Sequence, residues 1–144
     1  MRKNKNNKGG SFVRVVDLAV FRRIPRRLFE QVRGRSWSVD RLYEFAPVFL
    51  ADETNNYFWI FESDRRIEGI LWAVIDALSE KLNVIVCSGI VPEDAHRFLR
   101  RFTKDFNAAN SGIALKEKIN WLTTQPEMFN KMGGHALKTV MVEV

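Results

Sequence analysis

Apolar positions along this chain recur in two rhythms, and the changes of rhythm divide it into elements. From Phe12 to Val16 they alternate, Phe12 and Val16 apolar around an exposed Arg14, which predicts a first strand. The stretch from Phe21 to Val32 turns helical, with Leu28, Phe29 and Val32 on one face and a start expected near Pro25, which suits a first helical position. Ser38 followed by Arg41 predicts a second helix whose stripe is Val39, Leu42, Tyr43 and Ala46, with Pro47 weakening its end.

Beyond a turn-forming Asp52 to Asn56, the pattern becomes that of strands. Tyr57 to Phe61 is a continuous aromatic and β-branched run, Ile67 to Ala77 a second strand and Leu82 to Ile90 a third, apolar on both faces. Short turns at Ser63 to Arg66 and Leu78 to Lys81 make the three an antiparallel meander. From Pro92 the period is helical again. Ala95, Phe98, Leu99, Phe102 and Phe106 form one stripe opposite Arg97, Arg100, Arg101 and Lys104. Asn110 to Gly112 ends it. A strand is expected from Ile113 to Thr123, a short helix from Gln125 to Met132 closed by Gly133 and Gly134, and a last strand from Leu137 to Val144. The order β, α, α, β, β, β, α, β, α, β predicts an α/β (α+β) fold. A single domain over residues 11–144 follows a flexible basic arm at residues 1–10.

Charge changes this picture more than composition does. Of the 144 residues, 46% are apolar, ample for one core and against disorder. The longest apolar run, Gly69 to Ile75, falls far short of the ~20 residues of a membrane span. Arg14 and Asp17 interrupt the first hydrophobic stretch, so no secretory leader is expected. The lone Cys87 cannot pair internally, and a cytoplasmic protein is expected. Residues 1–35 carry eleven Lys or Arg against Asp17 and Glu30, a net of +9, while the other 109 sum to −3. That asymmetry predicts contact with nucleic acid or an acidic protein surface through Arg2, Lys3, Lys5, Lys8, Arg22, Arg23, Arg26 and Arg27. A solubilising tail and a solvated helix face remain the plainer account.

The segment from Pro126 to Gly134 carries the most specific local pattern. Phe129, Lys131, Met132 and Gly133 fall where a short helix of the GNAT superfamily, the acetyl-CoA-dependent N-acetyltransferases, has its tyrosine, lysine, apolar residue and first glycine. With the element order, the chain after residue 11 resembles that superfamily. The resemblance implies a GNAT-like central mixed, mainly antiparallel sheet flanked by helices. Leu82 to Ile90 would be the strand that splays to admit the pantetheine arm. The helix from Pro92 would meet the coenzyme A pyrophosphate with its free N–H groups. If coenzyme A binds, Ser88, Gly89, Ile90, Val91 and Ala95 would be the cofactor-binding residues, with Glu68 a candidate base.

Against the pattern of that superfamily, Val91 to Arg97 contains no glycine, Pro92 lacks an N–H, and Glu93 and Asp94 place carboxylates where pyrophosphate would sit. Phe129 has no hydroxyl to protonate a leaving thiolate, and Thr123-Thr124-Gln125 stands where asparagine is common. The expectation is therefore a GNAT-like scaffold with a degenerate acetyl-CoA site and no cofactor, acetyl-CoA being the cofactor only if the chain is an enzyme. In size and degenerate motifs the chain is similar to small GNAT-like proteins in the virions of short-tailed bacteriophages. That implies a structural component of a larger assembly, with an N-acyltransferase as the alternative.

Other constellations reduce to packing. Glu68 and Asp76 share a strand face but lie about 26 Å apart, too far to act together. His96, His135 and Cys87 lack the spacing of a zinc site, so no metal is expected, and Cys87 in an apolar strand is a core residue. Trp59, Phe61, Trp72 and Trp121 fall inside strands and are expected in the core.

Overall fold

The computed structural model describes residues 9–110, 112–123, 126–137 and 141–144. The elements run β1 (Ser11–Arg14), α1 (Leu18–Phe21), α2 (Arg26–Glu30), α3 (Val39–Ala51), β2 (Asn56–Ser63), β3 (Arg66–Asp76), β4 (Lys81–Ser88) and α4 (Pro92–Ala109). Then follow β5 (Asn120–Leu122), a 3-10 helix (Pro126–Met132), β6 (His135–Leu137) and β7 (Met141–Glu143). Seven strands make one sheet in the order β1-β2-β3-β4-β5-β7-β6. Every neighbouring pair is antiparallel except β4 and β5, which are parallel.

Both faces of the sheet are covered. Phe58, Ile60, Ile70 and Val86 face α1, α2 and α3, with Phe21, Leu28 and Phe29 fully buried among them. Trp59, Phe61, Leu71, Ala73, Leu82 and Val84 face α4 and meet its Ala95 and Leu99. Phe21 anchors the first layer. Its ring lies 5.2–5.6 Å from those of Phe29, Tyr43, Phe49 and Phe58, mostly edge to face. Each such pair adds roughly 0.5–1.5 kcal/mol beyond its buried area.

Two irregularities shape the meander. Phe61 pairs with Gly69 and Glu62 with Ile67, leaving Glu68 as an extra residue on β3. Trp72 pairs with Val86 and Ala73 with Val84, leaving Ile85 extra on β4. Past Ile85 the faces exchange, so Val86 joins the α1–α3 layer and Cys87 the α4 layer. The β2–β3 turn has only Asp64 (φ 52°) and Arg65 (φ 61°) between the paired Ser63 and Arg66. Both are left-handed, as a two-residue hairpin turn demands, and for a residue with a side chain that costs roughly 1–2 kcal/mol.

Several boundaries differ from the sequence reading. β1 stops at Arg14, and Val15 rather than Val16 is buried, because the chain turns inward there to begin α1. α1 was not predicted; its four residues are too few to show a period, and the Asp17 carboxylate caps it through the Ala19 amide. The Ser38 hydroxyl caps α3 as expected, accepting from the Arg41 amide at 3.0 Å, but α3 runs through Pro47 to Ala51. β4 ends at Ser88, not Ile90. The strand expected from Ile113 shrinks to Asn120–Leu122, because Asn107 of α4 holds the backbone of Leu115 in a loop through both its amide and its carbonyl. The predicted helix at Gln125 to Met132 is a 3-10 helix from Pro126, Gln125 lying outside the described residues. The last strand is instead the β6–β7 hairpin. The expected arm at residues 1–10 lies outside the described residues up to Lys8.

Phe21 is fully buried at the centre of the first layer. Phe21→Ala should lower stability by about 3–5 kcal/mol in a denaturant titration, a cavity cost typical of a buried phenylalanine.

Candidate functional site

β4 and β5 pair over only two positions, Asn83 with Asn120 and Val84 with Trp121. At the next residue, Ile85, the β4 bulge turns the strand, and the two strands part. The gap is a cleft of about 400 Å³ lined by Val84, Ile85 and Cys87 on one side and Trp121, Leu122, Thr123, Met128 and Phe129 on the other. Gln31, Val32 and Arg33, just after α2, form a third wall, and Pro92 of α4 closes the end. Phe129 is buried, its ring 5.0 Å from that of Trp121. Burial pushes the Cys87 thiol up to about 12, so it stays protonated and unreactive near neutral pH.

At that end the α4 N-terminus offers few donors. Pro92 has no N–H, and the amides of Asp94 and Ala95 both donate to the Val91 carbonyl, at 3.0 and 3.1 Å. Within that first turn only the Glu93 amide has no such bond, and Glu93 and Asp94 bring two carboxylates. Asp94 pairs with Arg97 at 3.1 Å. The preceding turn does contain a glycine, contrary to the boundary read from sequence. Gly89 has φ +74°, and a Cβ there would strike the Glu68 carbonyl. A Cβ on Gly69 would come within 2.8 Å of the Gly89 carbonyl, so the two glycines lock the β4–α4 turn against the β3 bulge.

No protein-family model matches the chain, and no curated protein matches it in sequence. Solved structures do. A chimera of spermidine N-acetyltransferase SpeG from Vibrio cholerae and hSSAT matches with a TM-score of 0.61 at 13% identity, covering 94% of this chain and 93% of that one. The PaiA N-acetyltransferase from Thermoplasma acidophilum, in complex with coenzyme A, gives 0.58 at 11% over 93% and 96%. A GNAT-family protein from Desulfovibrio desulfuricans gives 0.58 at 13% over 93% and 94%. The fold is the GNAT acetyltransferase fold.

On this GNAT fold the residues singled out from sequence scatter. Ser88, Ile90 and Ala95 are buried, and the partly buried Val91 is the N-cap of α4. The Ser88 hydroxyl lies 3.4 Å from the Gln31 side-chain oxygen. Glu68 sits at the β3 bulge and does not line the cleft. Asp76 caps the β3–β4 turn, its carboxyl held below the usual range chiefly by hydrogen bonds from Ser79. Of the basic residues, Arg26 pairs with Asp40 at 2.8 Å and lies over the Tyr43 ring. Arg23 and Arg27 instead share a shallow hollow with Arg65 and Arg66, while Arg22 is exposed. Arg2, Lys3, Lys5 and Lys8 lie outside the described residues. Sequence reasoning missed the Ile85 bulge and the Gln31–Arg33 wall, which no periodicity announces.

His96 borders this region half-buried, its Nδ1 enclosed without a partner among the described residues and its ring 6.2 Å from that of Trp121. Desolvation, then the Arg100 charge, holds its pKa below 6.5. A lowered folded pKa means the unfolded chain takes up the proton first, so stability is lost as pH falls below about 6.5. His96→Gln should therefore flatten the fall in Tm between about pH 7 and pH 5. Asp76, titrating below 3.8, cannot contribute within that window.

Proposed function

We propose that this chain is a non-catalytic structural and interaction component that uses a GNAT scaffold whose coenzyme A site has degenerated. The observation that carries this reading is the α4 N-terminus, reduced to the Glu93 amide and flanked by the carboxylates of Glu93 and Asp94. A helix dipole contributes about 0.3–1 kcal/mol to an anion at such an end. The exposed Glu93 carboxylate beside that end opposes a phosphate, an effect that solvent and salt screen. On this reading a pyrophosphate would meet one amide donor and like charge at the helix end. Phe129, buried and without a hydroxyl, is equally unsuited to donate a proton. The basic N-terminal region, with net +9 over residues 1–35, supports a place in a larger assembly beside nucleic acid or an acidic protein surface, a phage particle being one setting.

One observation favours an acetyl-CoA-dependent N-acyltransferase instead. The cleft of about 400 Å³ stands open where β4 leaves β5. That enzyme would need a proton acceptor from outside the cleft walls, because their described titratable side chains are Arg33 and Cys87.

Isothermal titration calorimetry with acetyl-CoA separates the two. The unmodified chain should show no binding tighter than about 1 mM. Pro92→Gly combined with Glu93→Gln and Asp94→Asn should bind at least tenfold tighter, by restoring a donor and removing both charges. Micromolar binding by the unmodified chain, with acetyl transfer to an amine, would establish the acyltransferase instead.

A further inference from the structure

The hollow shared by four arginines lies away from the cleft and is independent of whether the cleft is catalytic. Arg23 follows α1, Arg27 lies on α2, Arg65 ends the β2–β3 turn and Arg66 begins β3; with Pro25, Glu62 and Ile67 they line a shallow depression of about 380 Å³. We propose that this face binds the phosphodiester backbone of nucleic acid.

Three observations converge on it. All four arginines are exposed, and none of their side chains has a hydrogen bond or ion pair with a described residue. By contrast, Arg14, Arg26, Arg35, Arg41, Arg97 and Arg101 each hold a carboxylate or a backbone carbonyl. Second, Arg65 occupies a left-handed position at φ 61°, where glycine or asparagine would serve the turn without cost. A strained residue whose side chain has no hydrogen bond or ion pair with a described residue points to a use outside the fold. Third, β1 is the neighbour of β2, and its first residue, Ser11, pairs with Glu62. Neighbouring strands lie about 4.8 Å apart, so Ser11 enters the fold beside Glu62 of the hollow, and the basic Arg2, Lys3, Lys5 and Lys8 precede it in sequence.

The chemistry favours phosphate over an acidic protein. Guanidinium groups present paired donors that match two phosphate oxygens. Among the lining residues only Pro25 and Ile67 are apolar, and residues 2–10 are Arg, Lys, Asn and Gly alone. A protein partner needs apolar or aromatic anchors at the centre of its interface, and none is offered here. Binding should be independent of base sequence and dominated by released counterions.

The test is fluorescence anisotropy with the full chain and labelled oligothymidine of about 20 nucleotides, repeated with a duplex of similar length, from about 50 to 300 mM salt. Arg65→Gly with Arg66→Gln should weaken binding about tenfold and reduce the slope of log K against log salt by about 2. Arg23→Gln with Arg27→Gln should do the same, and Arg41→Gln should change neither. Arg65→Gly alone should raise Tm while weakening binding, which separates loss of a contact from loss of the fold. Unchanged affinity and slope in both paired variants would overturn the proposal. So would polyglutamate competing as well as the oligonucleotide at equal charge, which would assign the face to an acidic protein.

Discussion

A sheet with helices on both faces must present apolar residues alternately to two cores, and in β4 that alternation is broken by a single extra residue. Before Ile85, Leu82 and Val84 face α4; after it, Val86 faces α1–α3 and Cys87 faces α4. The bulge bends β4 at the point where its pairing with β5 stops. Without it the parallel pair could continue and fill the space that is now a cleft. The bulge is affordable because both layers stay closed around it. The Phe21 cluster seals one, and Trp59, Phe61 and Leu99 seal the other.

The same constraint fixes where α4 begins. Gly69 and Gly89 meet so closely that neither tolerates a side chain, and their contact ties the β4–α4 turn to the β3 bulge at Glu68. The start of α4 is therefore placed by packing at the mouth of the cleft. What occupies that start is local chemistry. Pro92, Glu93 and Asp94 suit a helix beginning in water, with a fixed φ at the first turn and carboxylates on the positive end of the dipole. Features that stabilise this helix are the same ones that oppose an anionic ligand.

Electrostatics divides the molecule in a second way. On α3 and α4 Arg41 pairs with Glu44, Arg97 with Asp94 and Arg101 with Asp105, so part of the positive charge there lies beside an acid. The hollow between the α1–α2 region and the β2–β3 turn keeps its arginines unneutralised apart from the nearby Glu62 and Asp64. Such an unpaired cluster creates a local positive potential that the near-neutral remainder of the chain does not dilute at short range.

How much could be read from the sequence follows the range of the interactions involved. The meander, the long amphipathic α4, the Ser38 cap and the left-handed Gly133 were all legible, because periodicity, capping and turn chemistry act over a few residues. The carboxylates at the α4 start were visible for the same reason. The short α1, the loop at Leu115 and the β6–β7 hairpin were not. The loop needs Asn107 at the end of α4, β6 needs β7 to pair with, and α1 needs burial of Phe21 against β2 and α3, none of which a local period shows. The cleft needed the Ile85 bulge, a mismatch between two strands that neither strand reveals alone. Arg65 and Arg66 read simply as a turn. Only folding set them beside Arg23 and Arg27, about forty residues earlier, because antiparallel pairing and helix packing join positions that no local pattern connects.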